Sequence, residues 1–122
     1  MSNSVLLHDA ARGQWLSFRQ PVQVFAAYAL PDVLPALRAA EARVESDGLY
    51  AAGFLSDEAA PAFDASFQTR PPDPDFPLLW FGLYHEPEVV PPPRPPAGAQ
   101  PLSGEWTPSV TRVEYAEAID CV

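Results

Sequence analysis

The chain has no lysine at all. Its basic side chains are seven arginines, set against 16 carboxylates, for a formal net charge of −9 over 122 residues. A protein that grips nucleic acid needs a cationic face to neutralise phosphates, so that class is set aside. Without lysine there is no Schiff base and no lysine-activated nucleophile. The single cysteine, Cys121, excludes an intrachain disulfide and a cysteine-built zinc site, and suits a reducing compartment. No uncharged apolar run reaches the roughly 18 residues that span a bilayer. The opening Met1–Asp9 has no basic region, and its apolar run is too short for a signal peptide. A soluble cytoplasmic protein with neither nucleic-acid nor membrane partners is expected.

The usual catalytic signatures are missing too. There is no G-x-S-x-G, no G-x-x-x-x-G-K-[ST] and no G-x-G-x-x-G. The two histidines, His8 and His85, are far apart and fit no metal-ligand spacing. Asp57, Glu58 and Asp64 cluster beside Phe54 and Phe63. Carboxylates next to apolar residues can act as an acid/base pair, but capping and solvation of a loop is the simpler account.

What is present reads as a folded α+β domain. Hydrophobic residues make up 48% and charged residues 19%, a globular rather than a disordered balance. Val5-Leu6-Leu7 and Trp15–Phe18, with Gly13 between them, predict a hairpin. Val22–Tyr28 is the next strand. Pro31-Asp32 offers an N-cap with Pro35 in the first turn. Val33, Leu34, Leu37, Ala40 and Val44 then repeat at helical spacing up to a stop at Ser46-Asp47-Gly48. Leu49–Leu55 follows as a strand, in which Gly53 signals a bulge or a close backbone approach. Leu78–Tyr84 is the most strand-like run, and one so apolar should be covered on both faces. Mostly antiparallel strands with one or two packed helices are expected.

Proline is abundant, 16 residues, but seven of these fall within 87–101. That tract reads as a polyproline linker rather than a core element. Beyond it, Thr111-Arg112-Val113-Glu114 has the form of a capping box. Tyr115, Ile119 and Val122 lie on one face of a helix that reaches the last residue without a glycine stop or a basic last turn. Such a helix is expected in a chain that continues.

Gly53-Phe54-Leu55-Ser56-Asp57-Glu58-Ala59-Ala60-Pro61-Ala62-Phe63-Asp64 resembles the G-[FY]-[LI]-S-Y-E-A-A-P-x-F-D segment of the aminodeoxychorismate synthase component I family. Pro77–Tyr84 is similar to that family's P-L-x-W-F-x-x-[YF] strand. Leu6–Asp9 with Trp15–Phe18 and Pro21 resembles its opening hairpin, and Trp106 with Glu114–Ile119 resembles the lead-in to its chorismate-binding domain. The likeness is collinear over nearly the whole chain, and its specific part is E-A-A-P-x-F-D. Anthranilate synthase component I is a rival within the same superfamily, and a free-standing small-molecule-binding or interaction module is the alternative outside it.

The resemblance implies an N-terminal α+β domain over 1–86, a linker over 87–110 and the start of a chorismate-binding domain over 111–122. It implies the N-terminal, non-catalytic part of an enzyme converting chorismate to 4-amino-4-deoxychorismate with ammonia from a glutamine amidotransferase partner. Magnesium and the catalytic residues would belong to the chorismate-binding domain, leaving none in this chain. The fold would be a portion of a larger α/β sandwich, so Leu78–Tyr84 and the last helix, without their cover, would expose apolar surface. By resemblance, Leu6, Leu7 and Ser17 border a tryptophan-type pocket, although His8-Asp9 replaces the family's Glu-Ser pair. Asp57 replaces the family's tyrosine. If buried, it would weaken the domain through lost packing and desolvation.

Overall fold

The computed structural model describes residues 3–101 and 103–121. The chain forms two compact units, Met1–Pro92 and Pro93–Val122.

In the first unit, β1 (Val5–Asp9) and β2 (Gln14–Phe18) form the expected hairpin, with Asp9 opposite Gln14. Gly13 turns the loop at φ 63, a conformation that costs glycine little. Asp9 braces the loop, accepting from the Arg12 backbone N–H at 3.2 Å and from Arg12 Nη1 at 2.9 Å. β6 (Glu88–Val90) pairs antiparallel with β2, giving a first sheet ordered β1-β2-β6. Those three residues were expected to open the linker. They form a strand because Val89 and Val90 supply β-branched side chains and no proline interrupts them.

A second antiparallel sheet is ordered β3-β5-β4, from β3 (Gln23–Ala27), β4 (Tyr50–Leu55) and β5 (Leu79–Tyr84). β5 is its central strand. Side chains alternate along it. Leu79, Phe81 and Leu83 face α1 (Leu30–Asp47), packing with Val33, Ala40, Leu37 and Val44. On the other side Tyr84 and Ala52 meet Phe18 of β2, with Val5 and Leu16 beside them. Leu78, Leu79, Leu83 and Tyr84 are all buried, and each such side chain contributes about 1.5–3 kcal/mol relative to exposure. The expectation that Leu78–Tyr84 would expose apolar surface is therefore overturned: α1 and the first sheet cover it.

Gly53 sits opposite Phe81, and a Cβ there would overlap the Trp80 carbonyl oxygen. The close backbone approach expected from sequence is thus real. α1 starts earlier than expected. Its N-cap is Ala29, extended and without a side-chain cap, so Pro31 and Asp32 lie inside the first turn and Pro35 lies beyond it, inside the helix. Proline at the start of a helix sets φ and gives up an N–H that has no partner there, which favours the earlier start. The stop is as expected: Gly48 adopts the left-handed conformation and its N–H bonds the Val44 carbonyl.

Residues 57–62 form a 3-10 helix that packs on α1 and buries Ala59. Asp57 is exposed at its first position, so the aspartate there bears no burial cost.

The second unit contains α2 (Arg112–Asp120). The capping box is formed in both directions. Glu114 N donates to Thr111 Oγ1 at 3.2 Å, and Thr111 N donates to Glu114 Oε2 at 2.6 Å. Its apolar residues Val113, Tyr115 and Ile119 are exposed. Cys121 follows as a turn; Val122 lies outside the described residues. Among the described residues no helix is long and apolar enough to cross a membrane.

Candidate functional site

Two places in the first unit gather polar and aromatic side chains. One is the outward face of the β1-β2-β6 sheet. Leu6 pairs with Ser17, His8 with Trp15, Trp15 with Val90 and Ser17 with Glu88, so alternation brings these side chains to one face. The His8 and Trp15 rings lie 4.9 Å apart at 33°. Ser17 is 7% exposed, and its Oγ accepts from Arg19 Nε at 3.1 Å. Arg19 precedes Gln20, the one non-glycine with positive φ (53°) among the described residues. Such a conformation is costly for a residue with a Cβ.

Of the three residues assigned by resemblance to a tryptophan-type pocket, Leu6 and Ser17 therefore share this face. Leu7 pairs with Leu16 and points to the opposite one. Leu6 and Leu7 are both 45% exposed. Trp15, Arg19 and Glu88 join Leu6 and Ser17; the sequence marked Trp15 only as a strand residue of the hairpin and gave Arg19 and Glu88 no site role. Arg19 lies two residues beyond Ser17, a separation that returns a strand residue to the same side, and this spacing was the available signal.

The second place is a groove of about 540 Å³ lined by Ser56, Glu58, Arg70, Asp73, Phe76 and Leu78. It lies where β4 ends and β5 begins, a junction tied by the Ser56 N–H to the Leu78 carbonyl at 2.9 Å. Arg70 Nη2 donates to Glu58 Oε1 at 2.9 Å. The Glu58 carboxyl is held below its usual range, first by its own backbone N–H, then by Arg70, against an opposing desolvation. Ser56 contributes least: its Oγ is near the carboxylate but buried without a hydrogen bond of ordinary geometry. Asp73 closes a turn, its Oδ1 accepting from Asp75 N at 2.8 Å while Phe76 N reaches the Asp73 carbonyl at 3.2 Å. The Phe76 ring stacks on Phe54 at 5.3 Å.

The acidic cluster singled out by sequence divides by role. Glu58 belongs to the groove. Asp64 accepts from Ser66 N at 2.9 Å, and that bond holds its carboxyl low. A lowered carboxyl stays ionised and has no proton to donate at neutral pH, so Glu58 and Asp64 do not form the acid member of a catalytic pair. Among the described residues no group of three or more His, Cys, Asp and Glu side chains could hold a metal ion.

No family model, no curated protein and no solved structure matches the chain.

Proposed function

We propose that this chain serves as the N-terminal, non-catalytic part of an aminodeoxychorismate synthase component I, a cytoplasmic enzyme that aminates chorismate on the way to 4-aminobenzoate and folate. The Gly53–Asp64 segment carries the reading. Its pattern resembles that family's most specific N-terminal motif, and several of its residues have structural tasks here that restrict their type. Gly53 admits the β5 backbone, Ala59 is buried in the core, and Pro61 sits in the 3-10 helix.

A second observation supports a role within a larger sandwich. The two sheets touch through Phe18, Tyr84 and Ala52. By alternation the same two faces carry Leu7 and Val89 on one sheet and Tyr50 and Phe54 on the other, and these four side chains stand exposed. Facing apolar surfaces of this kind suit coverage by further structure.

In this reading the chorismate-binding domain holds magnesium and performs the chemistry. Ammonia comes from a glutamine amidotransferase subunit, and residues 111–122 lead into that domain. The anthranilate branch differs in product, not in the role of this part. Fusing residues 1–110 ahead of the chorismate-binding domain of an aminodeoxychorismate synthase stripped of its own N-terminal part tests the proposal. Growth of a 4-aminobenzoate-requiring strain is expected to return. No growth from a soluble fusion contradicts the reading, as does amination of chorismate by the 122-residue chain alone.

A further inference from the structure

The groove at the β4–β5 junction has a chemistry that the synthase reading does not use. Its volume of about 540 Å³ falls within the range of small-molecule sites. Its charged lining is two carboxylates, Glu58 and Asp73, and one guanidinium, Arg70, a surplus of one negative charge. That single cation is already engaged with Glu58 and its side chain is 87% exposed, so it neutralises one carboxylate and leaves Asp73 without a cationic partner among the lining residues. Phe76, stacked on Phe54, supplies an aromatic wall, and Leu78 supplies an apolar floor. The Asp73–Phe76 turn is fixed by its own hydrogen bonds, which pre-organises both the carboxylate and the ring.

We propose that this groove binds a small organic monocation with a flat apolar body, such as an arylalkyl ammonium. The ammonium would lie against Asp73 and the Glu58 side of the groove, and its body against Phe76. An aromatic face also attracts a cation. An anion of the same shape would meet two carboxylates and a guanidinium that is already paired.

Amide NMR of the full ¹⁵N-labelled chain, titrated separately with benzylammonium and with benzoate, tests this. Benzylammonium is expected to give saturable shifts confined to residues 54–58 and 70–78, with a dissociation constant on the order of 1 mM for so small a ligand. Benzoate is expected to give none that saturate. Asp73→Asn retains the Oδ1 acceptor that bonds Asp75, so the turn survives, and loss of the charge should weaken benzylammonium about three- to fivefold. Three results would overturn the proposal: benzylammonium shifts that never saturate, benzoate binding as tightly as benzylammonium, or unchanged affinity in an Asp73→Asn chain whose spectrum is otherwise native. All three leave the synthase reading untouched, because that reading assigns no ligand to the groove, although Ser56 and Glu58 of its lining belong to the segment that carries it.

Discussion

Tyr84 shows how much one side chain can organise. It is 1% exposed. Its ring lies over Gly82, where any Cβ would overlap it, and packs on Phe18 at 5.5 Å. Its hydroxyl donates to the Asn3 carbonyl at 3.1 Å, and burial raises its pKa above the usual 10.0. Tyr84→Phe keeps the packing and removes one hydrogen bond, so denaturant unfolding should show a loss of about 0.5–1.5 kcal/mol. Gly53→Ala should cost more than about 2 kcal/mol, because its Cβ meets backbone that cannot move aside.

The Glu58 carboxyl is depressed below its usual 4.5. A carboxyl with a lower pKa in the folded state stabilises above the unfolded value and loses that contribution as pH falls through the folded value. The melting temperature of the native chain should exceed that of Glu58→Gln at pH 7, and the gap should shrink steadily below the ordinary carboxylate range. A gap that grew on acidification would contradict the sign. Gly53 could be read from sequence because a glycine inside an apolar strand pattern is itself a local signal, even though the backbone it admits, at Trp80 and Phe81, belongs to β5. The Arg70–Glu58 pair could not, since its partners are 12 residues apart and meet only once the 3-10 helix and the following loop are in place.

At the scale of elements, α1 carries an avoidable defect. Pro35 lies exposed in the interior of the helix, where proline removes a hydrogen bond and crowds the carbonyl four residues back. Pro35→Ala is expected to stabilise the chain by about 1–2 kcal/mol, measured by denaturant midpoint; a loss would show that the ring packs favourably. Gly48→Ala forces a Cβ into φ 63 and should cost about 1 kcal/mol.

The helix and the β1–β2 hairpin were legible because their signals are periodic or lie within a few residues. The start of α1 was misplaced because Asp32 is a good capping type, whereas the chain turns helical at Leu30 after an extended Ala29 with no side-chain cap. β6 was missed because prolines surround it and its partner, β2, lies some 70 residues earlier. No local pattern reports so distant a pairing.

At the scale of the molecule, the α+β class with antiparallel pairing followed from the sequence, but the division into two three-stranded sheets did not. Alternation says which residues share a face and says nothing of which face meets another sheet. That is why β5, read as dependent on outside cover, is instead enclosed by α1 and the Phe18 side of the first sheet. Of the pocket set, the alternation of β1 already separates Leu6 from Leu7, while the pairing of Leu6 with Ser17 depends on hairpin register.

The central claim, that this chain is the N-terminal part of a chorismate-aminating synthase, is tested most directly by reading the gene and its transcript past the codon for Val122. The account predicts an open frame running into a chorismate-binding domain. A stop codon at that point, with the 122-residue protein accumulating in cells, would contradict it.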